Sequence, residues 1–133
     1  MNIKTIFSSA LLLLTSALSP VAAADLYLVV NPSLKITASE ALSAYLGEKE
    51  FFKATRLKPV ENASLQESFL QKAMNMNPKQ YQVYWTKKTF RDGVIPPALL
   101  STDADVLALI QRTPGAIGYL RAPAEGVVVL KKY

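Results

Sequence analysis

The apolar residues of this chain follow two rhythms. Leu26-Tyr27-Leu28-Val29-Val30 is a continuous apolar run of strand length that ends at Asn31-Pro32-Ser33. A run apolar at every position suits a central strand covered on both faces. The period then lengthens: Ala38, Ala41, Leu42, Tyr45 and Leu46 share one face of a predicted helix. Thr37 and Glu40 have the spacing of a capping box at its start, and Gly47 ends it as a C′ residue. Residues 48–56 read as a charged connection, with Phe51 and Phe52 tucked beneath it as a small satellite cluster.

Leu57-Lys58-Pro59-Val60-Glu61 alternates as an edge-side strand would, and Asn62-Ala63-Ser64 makes a tight turn after it. Leu65, Phe69 and Ala73 then recur at four-residue spacing, which predicts an amphipathic helix to about Met74. Asn77-Pro78 starts another helix, with Pro78 at its first position. Tyr81, Tyr84, Trp85 and Lys88 lie on one face of it and read as core. Arg91-Asp92-Gly93 is a turn and Pro96-Pro97 an extended linker. Ser101 or Thr102 caps a fourth helix with a face of Val106, Leu107 and Ile110, which stops before Pro114-Gly115. Ala116 to Leu120 and Gly126 to Leu130 close the chain as strands. In the first of these, Gly115 is expected to take a positive φ, Ile117 to face the core and Gly118 to admit a close neighbour. Strands alternating with helices give an α/β layered domain.

The first 23 residues change the picture of where this domain works. Lys4 is their only charge, Ile6 to Leu18 is largely apolar, and Val21-Ala22-Ala23-Ala24 offers small residues to a signal peptidase. The apolar run falls short of the roughly 20 residues a bilayer span needs, so stable membrane insertion is not expected. Cleavage after Ala23 would leave residues 24–133 as one domain in a bacterial periplasm. Losing Lys4 lowers the formal net charge from +5 to +4, and the basic residues are scattered apart from Lys87-Lys88 and Lys131-Lys132. Such a surplus favours small anions or acidic partners weakly, and nucleic acid is not expected for an exported protein. The chain has no cysteine and no histidine. That removes disulfides, thiol and imidazole nucleophiles, a histidine base and the usual zinc ligands. Asp103 and Asp105 are closely spaced acids, but they sit at a helix start, where the dipole favours them. No pair of residues has the spacing of an activated nucleophile, so the reading is a non-enzyme with no catalytic residues, no metal and no cofactor.

Chemistry is left to the strand–turn–helix. A helix starting straight after a strand leaves its first backbone N–H groups unpaired, at the positive end of the dipole, which suits a small anion. Asn62, Ala63, Ser64, Leu65 and Gln66 are the candidate ligand residues, through their amides and the Ser64 hydroxyl. Asn62 or Ser64 as a plain N-cap is the competing reading.

The order of these pieces resembles a known family. Asn31-Pro32-Ser33, the helix ending Tyr45-Leu46-Gly47, the strand–turn–helix with Phe69, and Pro114-Gly115-Ala116-Ile117-Gly118-Tyr119 are similar to the second lobe of the phosphate-binding periplasmic components of ABC transporters. Tyr81, Tyr84-Trp85, Phe90, Gly93 and Pro97 resemble the short, single-lobe members of that family. The resemblance covers nearly all of residues 25–130. It implies a single three-layer lobe of a type 2 periplasmic binding protein, with a mixed sheet and helices on both faces. It also implies phosphate or a similar small anion as ligand, and a transporter permease or membrane sensor as partner. Family members typically carry Gly-Ser-Gly-Thr and then arginine at the phosphate turn. Here the matching positions are Asn62, Ala63, Ser64, Leu65 and then Gln66, with Lys58 and Lys72 the nearest basic residues in sequence. A ligand-free module that docks another envelope protein is the alternative.

Overall fold

The computed structural model describes residues 25–133, so the expected signal peptide lies outside the described residues. Seven strands and four helices follow in the order β1 (Tyr27–Val30), α1 (Ala38–Tyr45), β2 (Phe51–Phe52), β3 (Thr55–Arg56), β4 (Lys58–Asn62), α2 (Gln66–Met74), α3 (Pro78–Asp92), β5 (Ala98–Leu100), α4 (Asp103–Arg112), β6 (Ala116–Leu120) and β7 (Val128–Lys132). Five strands form one sheet in the order β5-β4-β6-β1-β7. β4 runs parallel to β5 and β6, whereas β1 is antiparallel to β6 and β7. The sheet is therefore mixed, as expected.

Two separate apolar clusters show that both faces of the sheet are covered. Leu28, Val30, Ile117 and Tyr119 face one way, onto Tyr45 of α1, Phe69 and Leu70 of α2, and Tyr81 and Trp85 of α3. Val29, Val60, Ala116 and Leu120 face the other way, onto Val106 and Ile110 of α4. Alternate strand residues thus serve opposite layers, which is why the β1 run is apolar throughout. Phe69 stacks on Tyr119 with ring centroids 4.1 Å apart at 11°, and the Tyr45 ring leans on both. The Tyr45 hydroxyl donates to Val60 O at 2.7 Å.

Local signals place the helices. Thr37 and Glu40 close a capping box on α1, and Asn77 and Gln80 do the same for α3, behind Pro78. The C-terminal carbonyls of α1, which have no partner within their own helix, are met by α3: Tyr81 Oη and Trp85 Nε1 donate to Tyr45 O, and Tyr84 Oη to Leu46 O. The aromatic face of α3 is thus a fixed wall. Asn31 closes the end of α4, donating from Nδ2 to Ile110 O at 2.8 Å.

Several expectations are corrected. β4 is an interior strand, because Ala98–Leu100 pairs along its outer side as β5. The charged connection contains a short hairpin, β2–β3, in which Phe51 is exposed and Phe52 half-buried against the core. α3 continues through Asp92 and ends on Gly93 at φ +69°, so residues 91–92 are helix rather than turn. Gly115 has no positive φ; it is required because a Cβ there would stand 1.9 Å from Arg56 O. Gly118 does admit a neighbour, since a Cβ would meet Ile110 Cδ1 at 2.5 Å.

Candidate functional site

The carboxyl ends of the parallel strands β4, β5 and β6 lie at one edge of the sheet, where open α/β sheets place their ligands. The turn of residues 62–65 leaves β4 here and leads into α2. Its backbone amides are turned inward. Ala63 N donates to Leu100 O at 2.8 Å, Ser64 N to Asn62 Oδ1 at 3.2 Å, and Leu65 N to Asn62 O at 3.0 Å. Asn62, fully buried at the end of the strand, closes this turn with its own side chain. The N-cap of α2 is Leu65, which has no side-chain capping bond, so neither Asn62 nor Ser64 is the N-cap.

An acid from α4 completes the cluster. Asp103 Oδ1 accepts from Asn62 Nδ2 at 2.7 Å, from Arg121 Nη1 at 3.1 Å, and lies 3.3 Å from Ser64 Oγ. Asp103 Oδ2 accepts from the Arg121 backbone N–H at 3.0 Å. The Ser64 hydroxyl donates to Asn62 Oδ1, so an amide, a backbone N–H and a guanidinium converge on one carboxylate. Partial burial raises the Asp103 pKa, but these hydrogen bonds and the Arg121 charge outweigh it and hold the group below its ordinary range. The carboxylate is anionic at neutral pH. The sequence alone marks Asp103 only as a dipole-favoured acid and gives no sign of Arg121. Both are far from the turn in sequence, at separations of 41 and 39 residues from Asn62 and Ser64 respectively for Asp103.

The fifth candidate, Gln66, turns to the opposite face. Its Nε2 donates to Glu61 Oε2 at 3.0 Å. Glu61 is 3% exposed, and burial raises its pKa to about 7, an effect that Tyr81 and Gln66 only partly offset. Asn62, Ala63, Ser64 and Leu65 thus belong to one cluster with Asp103 and Arg121, and Gln66 to another with Glu61.

No family model matches the chain, and no curated protein sequence matches it. Solved structures do. An ABC-type phosphate transport receptor from Vibrio cholerae matches with a TM-score of 0.50 at 11% identity, covering 82% of this chain and 47% of the receptor. A protein from Clostridium perfringens, described as a phosphate ABC transporter substrate-binding protein with bound phosphate, matches with a TM-score of 0.58 at 15% identity, covering 82% of this chain and 46% of its own. The chain spans less than half the length of either. What it shares with them is the fold: a periplasmic-binding-protein-like α/β domain of the kind found in phosphate ABC transporter substrate-binding proteins.

Proposed function

We propose that this is an exported, single-lobe relative of solute-binding receptors whose anion turn is closed by its own carboxylate, and that it acts by docking an envelope protein such as a membrane sensor. The observation that carries this reading is Asp103, held by Asn62 and Arg121 beside the turn. A monovalent phosphate placed about 4 Å from that carboxylate alone would meet a repulsion of about 4 kcal/mol at the effective dielectric of a protein surface, a penalty that the paired Arg121 guanidinium reduces. Three of the five amides offered for the anion also have intramolecular acceptors. The export half of the reading rests on the N-terminal pattern, and no helix among the described residues is long and apolar enough to cross a membrane.

Arg121 favours a second reading. It supplies the guanidinium that the turn itself lacks, and it is half exposed. Phosphate or a similar small anion could then bind at Asn62, Ala63, Ser64, Leu65 and Gln66 by displacing Asp103, and the protein would serve an ABC transporter permease. Calorimetric titration of the purified protein with phosphate at low salt separates the two. The partner-docking reading expects no saturable heat below millimolar phosphate. Saturation in the micromolar range would overturn it.

A further inference from the structure

On the other side of β4, a groove of about 770 Å³ runs between α3 and the segment leading into β5. Tyr81, Trp85, Phe90, Pro96, Pro97 and Leu99 give it an apolar, largely aromatic lining, with Phe90 and Leu99 exposed. Its size and lining are those of a small-molecule site. The wall is rigid, because Tyr81 and Trp85 are both tied to Tyr45 O. Glu61, 3% exposed, is the only charged residue lining the groove.

The Glu61 carboxyl is incompletely satisfied. Oε2 accepts from Gln66 Nε2; the Tyr81 hydroxyl, which donates to Tyr45 O, lies near enough to the carboxyl to lower its pKa, and Oε1 is buried with no partner of hydrogen-bond geometry. Among the described residues, only Tyr119 Oη shares that condition, and it feels the charge of Glu61. A buried carboxyl oxygen with unused acceptor capacity is costly unless something donates to it. We propose that this groove binds a small amine with an apolar or aromatic body, its ammonium group donating to Glu61 and its body lying against Trp85 and Phe90.

Three features select this chemistry over a neutral or acidic ligand. The lining contains an acid and no base. Aromatic faces attract cations as well as apolar groups. The carboxyl is also desolvated in the free protein, so binding adds only the desolvation of the ligand's own head, and the pair is formed in a preorganised site. Gln66 Nε2 already donates to Oε2, which leaves Oε1 as the oxygen for the ammonium. This site lies on the opposite face of β4 from the Asp103 cluster and does not depend on whether that cluster admits an anion.

The test uses three probes of one shape: 3-phenylpropylamine, 3-phenylpropanol and 3-phenylpropionate. Binding to the purified protein is followed by calorimetry and by the emission of Trp85, the single tryptophan of the chain. The amine should bind about tenfold more tightly than the alcohol, because only the ammonium brings an opposite charge to the carboxylate, and the acid should bind least. Glu61→Gln should bring the amine down to the level of the alcohol, and a cooperative urea transition followed by Trp85 emission shows that the variant is folded. Equal binding of amine and alcohol by the wild type would reduce the groove to an apolar surface and overturn the proposal. So would an amine preference that survives Glu61→Gln, or the absence of any response to all three probes.

Discussion

Replacing Glu61 with glutamine should stabilise the protein at neutral pH and leave it unchanged in acid. In the fold, burial moves the Glu61 carboxyl from 4.5 to about 7. Below about pH 4.5 the group is protonated in both folded and unfolded chains and contributes no difference. Between 4.5 and 7 the folded state retains a proton that the unfolded chain has released. Folded molecules then bind more protons, so stability falls as pH rises. Above pH 7 the loss is complete. At 1.36 kcal/mol for each unit, the interval corresponds to about 3 kcal/mol. Glutamine has the shape of the protonated acid and no charge to desolvate. With a urea slope of about 2 kcal/mol/M, the variant's midpoint should exceed the wild type's by about 1.5 M at pH 8 and coincide with it at pH 4. Trp85 emission reports the transition, because that residue is buried against the core. A midpoint difference that stays constant from pH 4 to pH 8 would refute the reasoning, since it would mean that Glu61 titrates alike in both states.

Three other outcomes follow from the packing and the N-terminal pattern. Ile117→Ala, at a fully buried site on β6, should cost about 2–5 kcal/mol in denaturant unfolding, and an unchanged midpoint would remove Ile117 from the core. Gly115→Ala should cost at least the roughly 1–3 kcal/mol typical of overpacking, because its Cβ would collide with backbone, Arg56 O, which cannot rotate away. Protein recovered from the periplasm should begin at Ala24 or Asp25 by mass spectrometry, and a full-length chain in the membrane fraction would contradict export.

The sequence marks the layers of this fold better than its site. Thr37 with Glu40, and Asn77 with Pro78, place two helix starts because capping is local chemistry, complete within four residues. The unbroken apolar stretch of β1 shows a strand covered on both sides for an equally local reason. β5 escapes because three residues after two prolines carry no period, and its absence makes β4 look like an edge. Glu61 reads as the outward polar residue of an alternating strand. It is buried beside Gln66 of α2 and Tyr81 of α3, which is a tertiary fact. Asp103 illustrates the same limit in the site. At the start of α4 a dipole explains it fully, and only the folded chain brings Asn62, Ser64 and Arg121 around it. Of the proposed anion residues, Gln66 departs for the other face for a reason equally remote from its neighbours in sequence: the buried carboxylate of Glu61 needs a donor.

If Asp103 stands in for an anion, its removal is the most direct test. Asp103→Ala takes away the like charge and leaves the Arg121 backbone N–H and guanidinium without their acceptor, while Asn62 Nδ2 keeps Tyr119 O and Ser64 Oγ keeps Asn62 Oδ1. Phosphate titrated into this variant and into the wild type by calorimetry should bind the variant with a Kd in the high-micromolar to millimolar range and give no saturable heat with the wild type. Adding Arg121→Ala to the variant should abolish the binding gained. Equal phosphate affinity in wild type and Asp103→Ala, or binding by neither, would contradict the claim that this carboxylate occupies an anion's place.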